Sequence, residues 1–308
     1  MTEQIAAGDI TVPIPNAGKV LFPDDGITKG DLARYYADAA GRMLPWLRDR
    51  PVTMMRYPDG LKGQRIVQKN VPAYFPDWIR RVDVPKEGGV LEQAVCGQPA
   101  DLVYLASQAC IEVHAFTSRI GKLDAPDQLV IDFDPPDDKH FKLVRSAALW
   151  ARELIDDELG LTSYVRTTGG RGLHVHVALD RRAGFDAVRD FTHRVAALLA
   201  SRHPGVITTE QRKDKRGERV YADIMRNAYA QLVVALYAVR ARPGAPVATP
   251  LTWPEVENPG LQPHQFTVST IRARLERPDD PWDGFTRARH GLGRASKRLA
   301  ELSGQSTE

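Results

Sequence analysis

The stretch that most limits the fold is QLVIDFDPPDD, residues 128–138. Its first half is rich in branched apolar residues and reads as a buried strand, yet it carries Asp132 and Asp134. In a strand, residues i and i+2 point to the same side, with Cα atoms about 6.6 Å apart, twice the rise per residue. Two carboxylates so placed repel each other and are costly to bury unless something cationic neutralises them. Mg²⁺ and Mn²⁺ take oxygen ligands, commonly one or two carboxylates plus substrate phosphates. Ion pairs about 3.5–4 Å apart serve phosphoryl transfer. The competing reading is a solvated strand end running into a Pro-Pro turn. Asp137 and Asp138, beyond the prolines, read as loop or cap residues.

A third acid strengthens the metal reading. RVYADIMRN puts Asp223 in a second apolar strand, and a buried strand rarely carries a lone acid without a partner. Three carboxylates from two strands make a cradle for two ions. RTTGGRGLHVHVAL supplies a second feature: Thr167, Thr168, Gly169, Gly170, Arg171 and Gly172 form a donor-rich turn suited to a phosphate. It is neither a Walker A loop nor a dinucleotide fingerprint. His174 and His176 share a face of the next strand without a third ligand at zinc spacing; a polar nucleotide contact or a structural role fits them better, and the same holds for His114 in IEVHAF. A basic run, Arg212, Lys213, Lys215, Arg216 and Arg219, precedes the Asp223 strand, and Arg240 and Arg242 follow the next one. Such runs are usually solvated loops, but beside an acidic metal site they can hold a triphosphate or a nucleic-acid backbone.

Composition narrows the rest. The 308 residues are 43% hydrophobic with a net charge of +3, enough for one large domain or two modest ones. The slight basicity permits a nucleic-acid partner without requiring one. Cys96 and Cys110 lie among small and apolar residues and read as buried thiols. There is no signal-peptide pattern and no long apolar run, so a soluble, cytoplasmic protein without membrane contact is expected. The pattern predicts a helix capped by Thr28, a strand in PVTMMR, a helix and strand across DLVYLASQACIEVHAF, and a long helix from about Lys139 to Gly160. It further predicts a hairpin over residues 161–179, a helix over FDAVRDFTHRVAALLASRHP, strands in RVYADIM and QLVVALYAVRA, and a last helix in TVSTIRARLE. The tail after Pro278 reads as loosely held. Helices alternate with strands that look hairpin-paired, which points to an α+β fold with mixed or antiparallel sheets.

Taken in order, KVLFP, TKGDLARYY, MRYPDG, QKN, IEVH, VIDFDPP, GGRGLHVHV, RVYADIMRN and RARPGAPVATPLTW resemble the polymerase domain of bacterial ligase D, of the archaeo-eukaryotic primase superfamily, from about residue 12 to 275. The resemblance implies a primase-like fold with an RRM-like catalytic part. It implies one catalytic domain over residues 1–275, with an N-terminal part to about 120, a catalytic part over 121–275, and a polar tail or helix over 276–308. It implies templated addition of nucleotides to a primer at gaps or broken ends, with a preference for ribonucleotides and often manganese. Asp132, Asp134 and Asp223 would bind two Mn²⁺ or Mg²⁺ ions and carry catalysis. His114, Thr168, Arg171, His174, Arg216, Arg240 and Arg56 would face the incoming nucleotide, Asn16, Lys19 and Lys29 a 5′-phosphate on DNA, and Lys69 the template. The family often has lysine where Arg171 stands. Some members stack an aromatic pair on the template where this chain has Ile66 and Val67, a departure that Tyr74 and Phe75 could offset. A ligase domain does not fit in this length, so the chain reads as a free-standing polymerase or an excised domain; the first is expected, a monomer working with a separate DNA ligase and a Ku-type end-binding protein. A two-metal nuclease and a non-catalytic end-binding module are the alternatives.

Overall fold

Helix Lys29–Leu47 begins where its sequence says it should, with a reciprocal cap. Thr28 Oγ1 accepts from the Asp31 amide at 3.2 Å, and the Asp31 carboxylate accepts from the Thr28 amide at 2.8 Å. One face, with Leu32, Tyr36, Ala39 and Met43, is buried. The computed structural model describes residues 1–304, in two units. The first comprises Met1–Gly121, Leu232–Thr249 and His264–Pro278; the second comprises Lys122–Gln231, Pro250–Pro263 and the chain from Asp279 on. The two parts expected as 1–120 and 121–275 are contiguous stretches; these units interleave, because Leu232–Val234 pairs with Cys110–Phe116 in the first unit's sheet.

That first sheet is antiparallel, in the order Leu232–Val234, Cys110–Phe116, Pro51–Arg56, Gly89–Val95, Arg80–Lys86, with Ile66–Gln68 also against Pro51–Arg56. The second unit's sheet runs Ile207–Thr208, Val220–Asp223, Gln128–Asp134, Leu173–Ala178, Ser163–Thr167, Pro250–Leu251. Among the described strand pairs of this sheet only Ile207–Thr208 with Val220–Asp223 is parallel, so the sheet is mixed and the chain is α+β. Gln128–Asp134 is the third of six strands, and all its residues but Asp134 are buried, with helices Phe141–Arg152 and Phe185–Arg202 both packing on it, which accords with its near-continuous hydrophobic run. Helices Phe141–Arg152 and Phe185–Arg202 pack in the same unit.

Three expectations change. The strand foreseen across QLVVALYAVRA is confined to Leu232–Val234, since buried Tyr237 takes a φ of 60°, which no ladder tolerates. The helix foreseen in TVSTIRARLE is the single turn Arg272–Leu275. Past Pro278 the described residues to 304 are packed: Trp282 and Phe285 are buried, and helix Leu292–Leu302 buries Leu299 against helix Phe185–Arg202, while the rest of the expected tail, 305–308, lies outside the described residues. Both cysteines are buried and free, and burial pushes the Cys110 thiol up to about 12. Among the described residues no helix is long and apolar enough to cross a membrane.

Candidate active site

The second unit's sheet brings the three predicted acids together. Gln128–Asp134 and Val220–Asp223 pair in a register that sets Asp132 directly opposite Asp223, and Asp134 follows on the face of Asp132. One carboxylate oxygen from each lies within 4.8 Å of the others. Asp132 is 5% exposed and the other two are half-buried. Burial, then the Asp132 and Asp223 carboxylates, push Asp134 up to about 7. Burial raises Asp223 as well, partly offset by the Met225 amide, which donates to its Oδ1 at 2.8 Å.

Such crowding is unfavourable for the protein alone and is relieved by a cation. The donors are oxygen only, with no thiolate at the cluster, which is the donor chemistry of Mg²⁺ and Mn²⁺ rather than of zinc. The three acids therefore fit the metal that the sequence implies.

Gly172 makes the approach between turn and strand possible. A Cβ at this position would lie 2.3 Å from the carbonyl oxygen of Phe133, the residue between the two acids of the strand, so no side chain fits. The preceding turn is held by Thr168, whose amide and hydroxyl both donate to the Gly172 carbonyl at 3.2 Å and whose Oγ1 accepts from the Gly170 amide at 3.0 Å. Arg171 reaches back to the Pro136 carbonyl at 3.4 Å and lies 3.8 Å from Asp138. Arg216 is pinned by the carbonyls of Glu210 and Gln211 at 2.9 and 2.7 Å, with its guanidinium 3.7 Å from the centre of the Tyr221 ring. Both arginines act electrostatically on the acids, Arg171 on Asp134 and Arg216 on Asp223.

His174 lies opposite Asp132 in the strand register, with Nε2 3.2 Å from Asp132 Oδ2 and Nδ1 2.8 Å from Arg166 Nη2. Three residues at this cluster escaped the sequence reading. Arg226 Nε lies 3.7 Å from Asp132 Oδ2. Buried Asn227 donates to the Val130 carbonyl at 2.7 Å and accepts from its amide at 2.8 Å. Buried Arg166 stands behind His174. Arg226 and Asn227 lie three and four residues past the end of the Asp223 strand and read as turn residues; Arg166 in SYVRTT gave no signal beyond a charge in a strand.

In the first unit the predicted residues form three groups. Glu112, also missed, organises one of them. Its carboxylate meets His114 Nε2 at 2.8 Å and accepts from Arg240 Nε at 3.0 Å and the Ala241 amide at 2.9 Å. Burial would raise this carboxyl, but these hydrogen bonds and charges outweigh it and hold Glu112 down to about 2. Its signal was the one that singled out Asp223, an acid in an apolar strand.

The second group gathers Asn16, Lys19 and Lys29 at the start of helix Lys29–Leu47. Asn16 adopts a φ of 53°, its carbonyl accepts from the Lys19 amide at 2.9 Å, and the Lys19 carbonyl accepts from the Lys29 amide at 2.8 Å. Lys29 is buried; desolvation first, then the Lys19 charge, lower its pKa. The third group is Arg56, whose Nε donates to the Gln108 carbonyl at 2.8 Å and Nη1 to Gln68 Oε1 at 2.5 Å and Tyr74 Oη at 3.1 Å, with Lys69 exposed just past Gln68. Ile66 and Val67 are exposed, as is Tyr74 at 61%. Phe75, offered as a replacement stacking ring, is instead buried against Tyr104 at 5.0 Å and is no base platform; Tyr74 alone is available.

Comparison with known proteins identifies the family. The sequence profile of the family described as "LigD, primase-polymerase domain" matches residues 28–282. The bifunctional non-homologous end joining protein LigD of Bacillus subtilis is 31% identical over 270 residues, 87% of this chain and 43% of that protein. The multifunctional non-homologous end joining protein LigD of Pseudomonas aeruginosa is 31% identical over 290 residues, 93% of this chain and 34% of that protein. The chain thus spans 43% and 34% of the length of these two relatives. Among solved structures, the polymerase domain from Mycobacterium tuberculosis ligase D in complex with DNA aligns with a TM-score of 0.84 at 29% identity, covering 91% of this chain and 99% of that one. The chain belongs to the LigD primase-polymerase family, a family of DNA-directed nucleotidyltransferases.

Proposed function

We propose that the protein adds nucleotides, ribonucleotides by preference, to a primer 3′-hydroxyl at gaps or broken DNA ends that carry a 5′-phosphate. The observation that carries this reading is the cluster of Asp132, Asp134 and Asp223, with oxygens within 4.8 Å of one another on two paired strands. Two divalent cations held there, Mn²⁺ or Mg²⁺, would lower the pKa of the 3′-hydroxyl and stabilise the leaving pyrophosphate.

The rest is work for the chain itself. The Thr168–Gly172 turn and the guanidinium groups of Arg171 and Arg216 supply donors and positive charge for a triphosphate. In the first unit, Glu112 fixes the imidazole of His114 and the guanidinium of Arg240 before any nucleotide arrives, so neither pays an ordering cost on binding. Lys29 is a desolvated ammonium with a like charge beside it, and an anion relieves both penalties. Together with Asn16, Lys19 and the helix N-terminus, it makes the proposed 5′-phosphate pocket. Arg56 would face the incoming nucleotide, and Lys69 and Tyr74 make up the proposed template contact.

Primer extension tests this. The substrate is a short-gapped duplex with a 5′-phosphate, with Mn²⁺ and each NTP or dNTP in turn. The wild type should extend with templated nucleotides and favour NTPs, while Asp132→Ala/Asp134→Ala should lose at least about a hundred- to a thousandfold, the scale on which losing one preorganised transition-state stabiliser acts. Binding of the gapped DNA by both proteins with extension by neither would instead identify an end-binding module.

A further inference from the structure

Arg166 has its guanidinium inside the protein, 1% exposed, on the strand Ser163–Thr167. It lies directly opposite His174 in the register of the hairpin. Its Nη2 is 2.8 Å from His174 Nδ1, and its Nε donates to His176 Nε2 at 3.2 Å. A guanidinium has donors and no acceptor, so each imidazole nitrogen facing it must offer a lone pair. The hydrogen of His174 is then on Nε2, which faces Asp132 Oδ2 at 3.2 Å, and that of His176 is on Nδ1, which faces Gln128 Oε1 at 3.0 Å. One arginine settles both tautomers.

We propose that Arg166 is a positioning residue of the metal cluster: it fixes His174 as the Nε2–H tautomer, and through that N–H it orients the Asp132 carboxylate toward the cation. This rests on the metal-dependent reading above. The reason is geometric. A carboxylate on a strand rotates about χ2 unless one oxygen is held. His174 holds Oδ2 of Asp132, and Arg226 at 3.7 Å adds charge on the same oxygen. In the other tautomer the Nε2 lone pair would face the carboxylate and repel it. The fork itself is clamped: the His176 ring packs edge-on against Trp282, with centroids 4.9 Å apart, and the Trp282 indole donates to the Val165 carbonyl, next to Arg166, at 2.8 Å. Outer partners of this kind typically change metal affinity about 10- to 100-fold when removed.

The test begins on the unmodified full chain. Long-range ¹H–¹⁵N spectra of the histidines should show His174 protonated at Nε2 and bare at Nδ1; the opposite tautomer overturns the proposal whatever the variants do. Arg166→Lys keeps the charge but has no fork to engage both rings. It should retain its fold by circular dichroism, mix the His174 tautomers, and weaken binding of Mn²⁺ alone about 10- to 100-fold by electron paramagnetic resonance titration. In extension assays kcat should fall and the Mn²⁺ needed for half-maximal rate should rise. A folded Arg166→Lys protein with wild-type tautomer and Mn²⁺ affinity also overturns it. A wild type that binds Mn²⁺ with the expected tautomer yet extends no primer removes the polymerase reading and leaves this inference standing.

Discussion

Glu112 is a single carboxylate that three donors compete for, and its consequences can be measured without any DNA. Its carboxyl is held near 2, below the ordinary value of 4.5. A depressed carboxyl stabilises the folded state above its ordinary range, and that stability is lost as pH falls through the folded value. The gap corresponds to about 3 kcal/mol, lost between roughly pH 4.5 and 2. Glu112→Gln should therefore be less stable at neutral pH and should lose less on acidification; denaturant midpoints across that range check this, and parallel acid limbs for both proteins would refute it. Freed of their anchor, His114 and Arg240 should also cost about tenfold in nucleotide KM, by loss of preorganisation. At this scale the sequence spoke clearly only where charge broke an apolar pattern. Asp132, Asp134 and Asp223 stood out for that reason, and Glu112 carried the same mark. Arg166 did not, because an arginine in a short strand is ordinary at a solvent-facing position, and only the strand order shows that this face is covered.

Between Gln128–Asp134 and Val220–Asp223 the regular ladder covers only Asp132–Asp134. Beyond it, the side chain of Asn227 takes the place of a neighbouring strand, bonding both the amide and the carbonyl of Val130. It also donates to the Ile224 carbonyl at 2.8 Å, tying the turn after Asp223 to the strand of Asp132. Asn227→Ala leaves two buried backbone groups without partners, at about 1–3 kcal/mol each. Chemical denaturation should show a loss of about 2–6 kcal/mol, and faster amide exchange at Val130 should localise it; an unchanged Val130 amide would count against the account. The elements themselves were legible: the cap of helix Lys29–Leu47, the hairpin Ser163–Thr167 with Leu173–Ala178, and the glycine turn followed from local pattern. Their order across the sheet was not, since Gln128–Asp134 pairs with strands about 40 and 90 residues away, and no local periodicity encodes such a choice.

At the scale of the whole chain, the acid cluster is stability forgone. Three carboxylates packed this closely weaken the metal-free protein, and a cation restores what they take away. Binding to the folded state alone adds about 2.7 kcal/mol at a hundredfold excess over Kd. Mn²⁺ should raise the thermal midpoint by several degrees, whereas Asp134→Asn should melt higher than wild type without metal and respond little to it. Differential scanning calorimetry at fixed protein concentration decides the matter, and an equal response in both proteins would dissociate the cluster from metal binding. The two units were the least legible feature, because a strand returning at Leu232 to pair with Cys110–Phe116 leaves no composition change behind.

Interleaving also sets a timetable for synthesis. The Asp132 and Asp223 strands leave the ribosome well before Trp282, whose indole closes over His176 and the backbone beside Arg166. A nascent chain therefore displays its acids before it owns the clamp that aims them, and the Trp282 segment acts as a keystone set after the arch is standing.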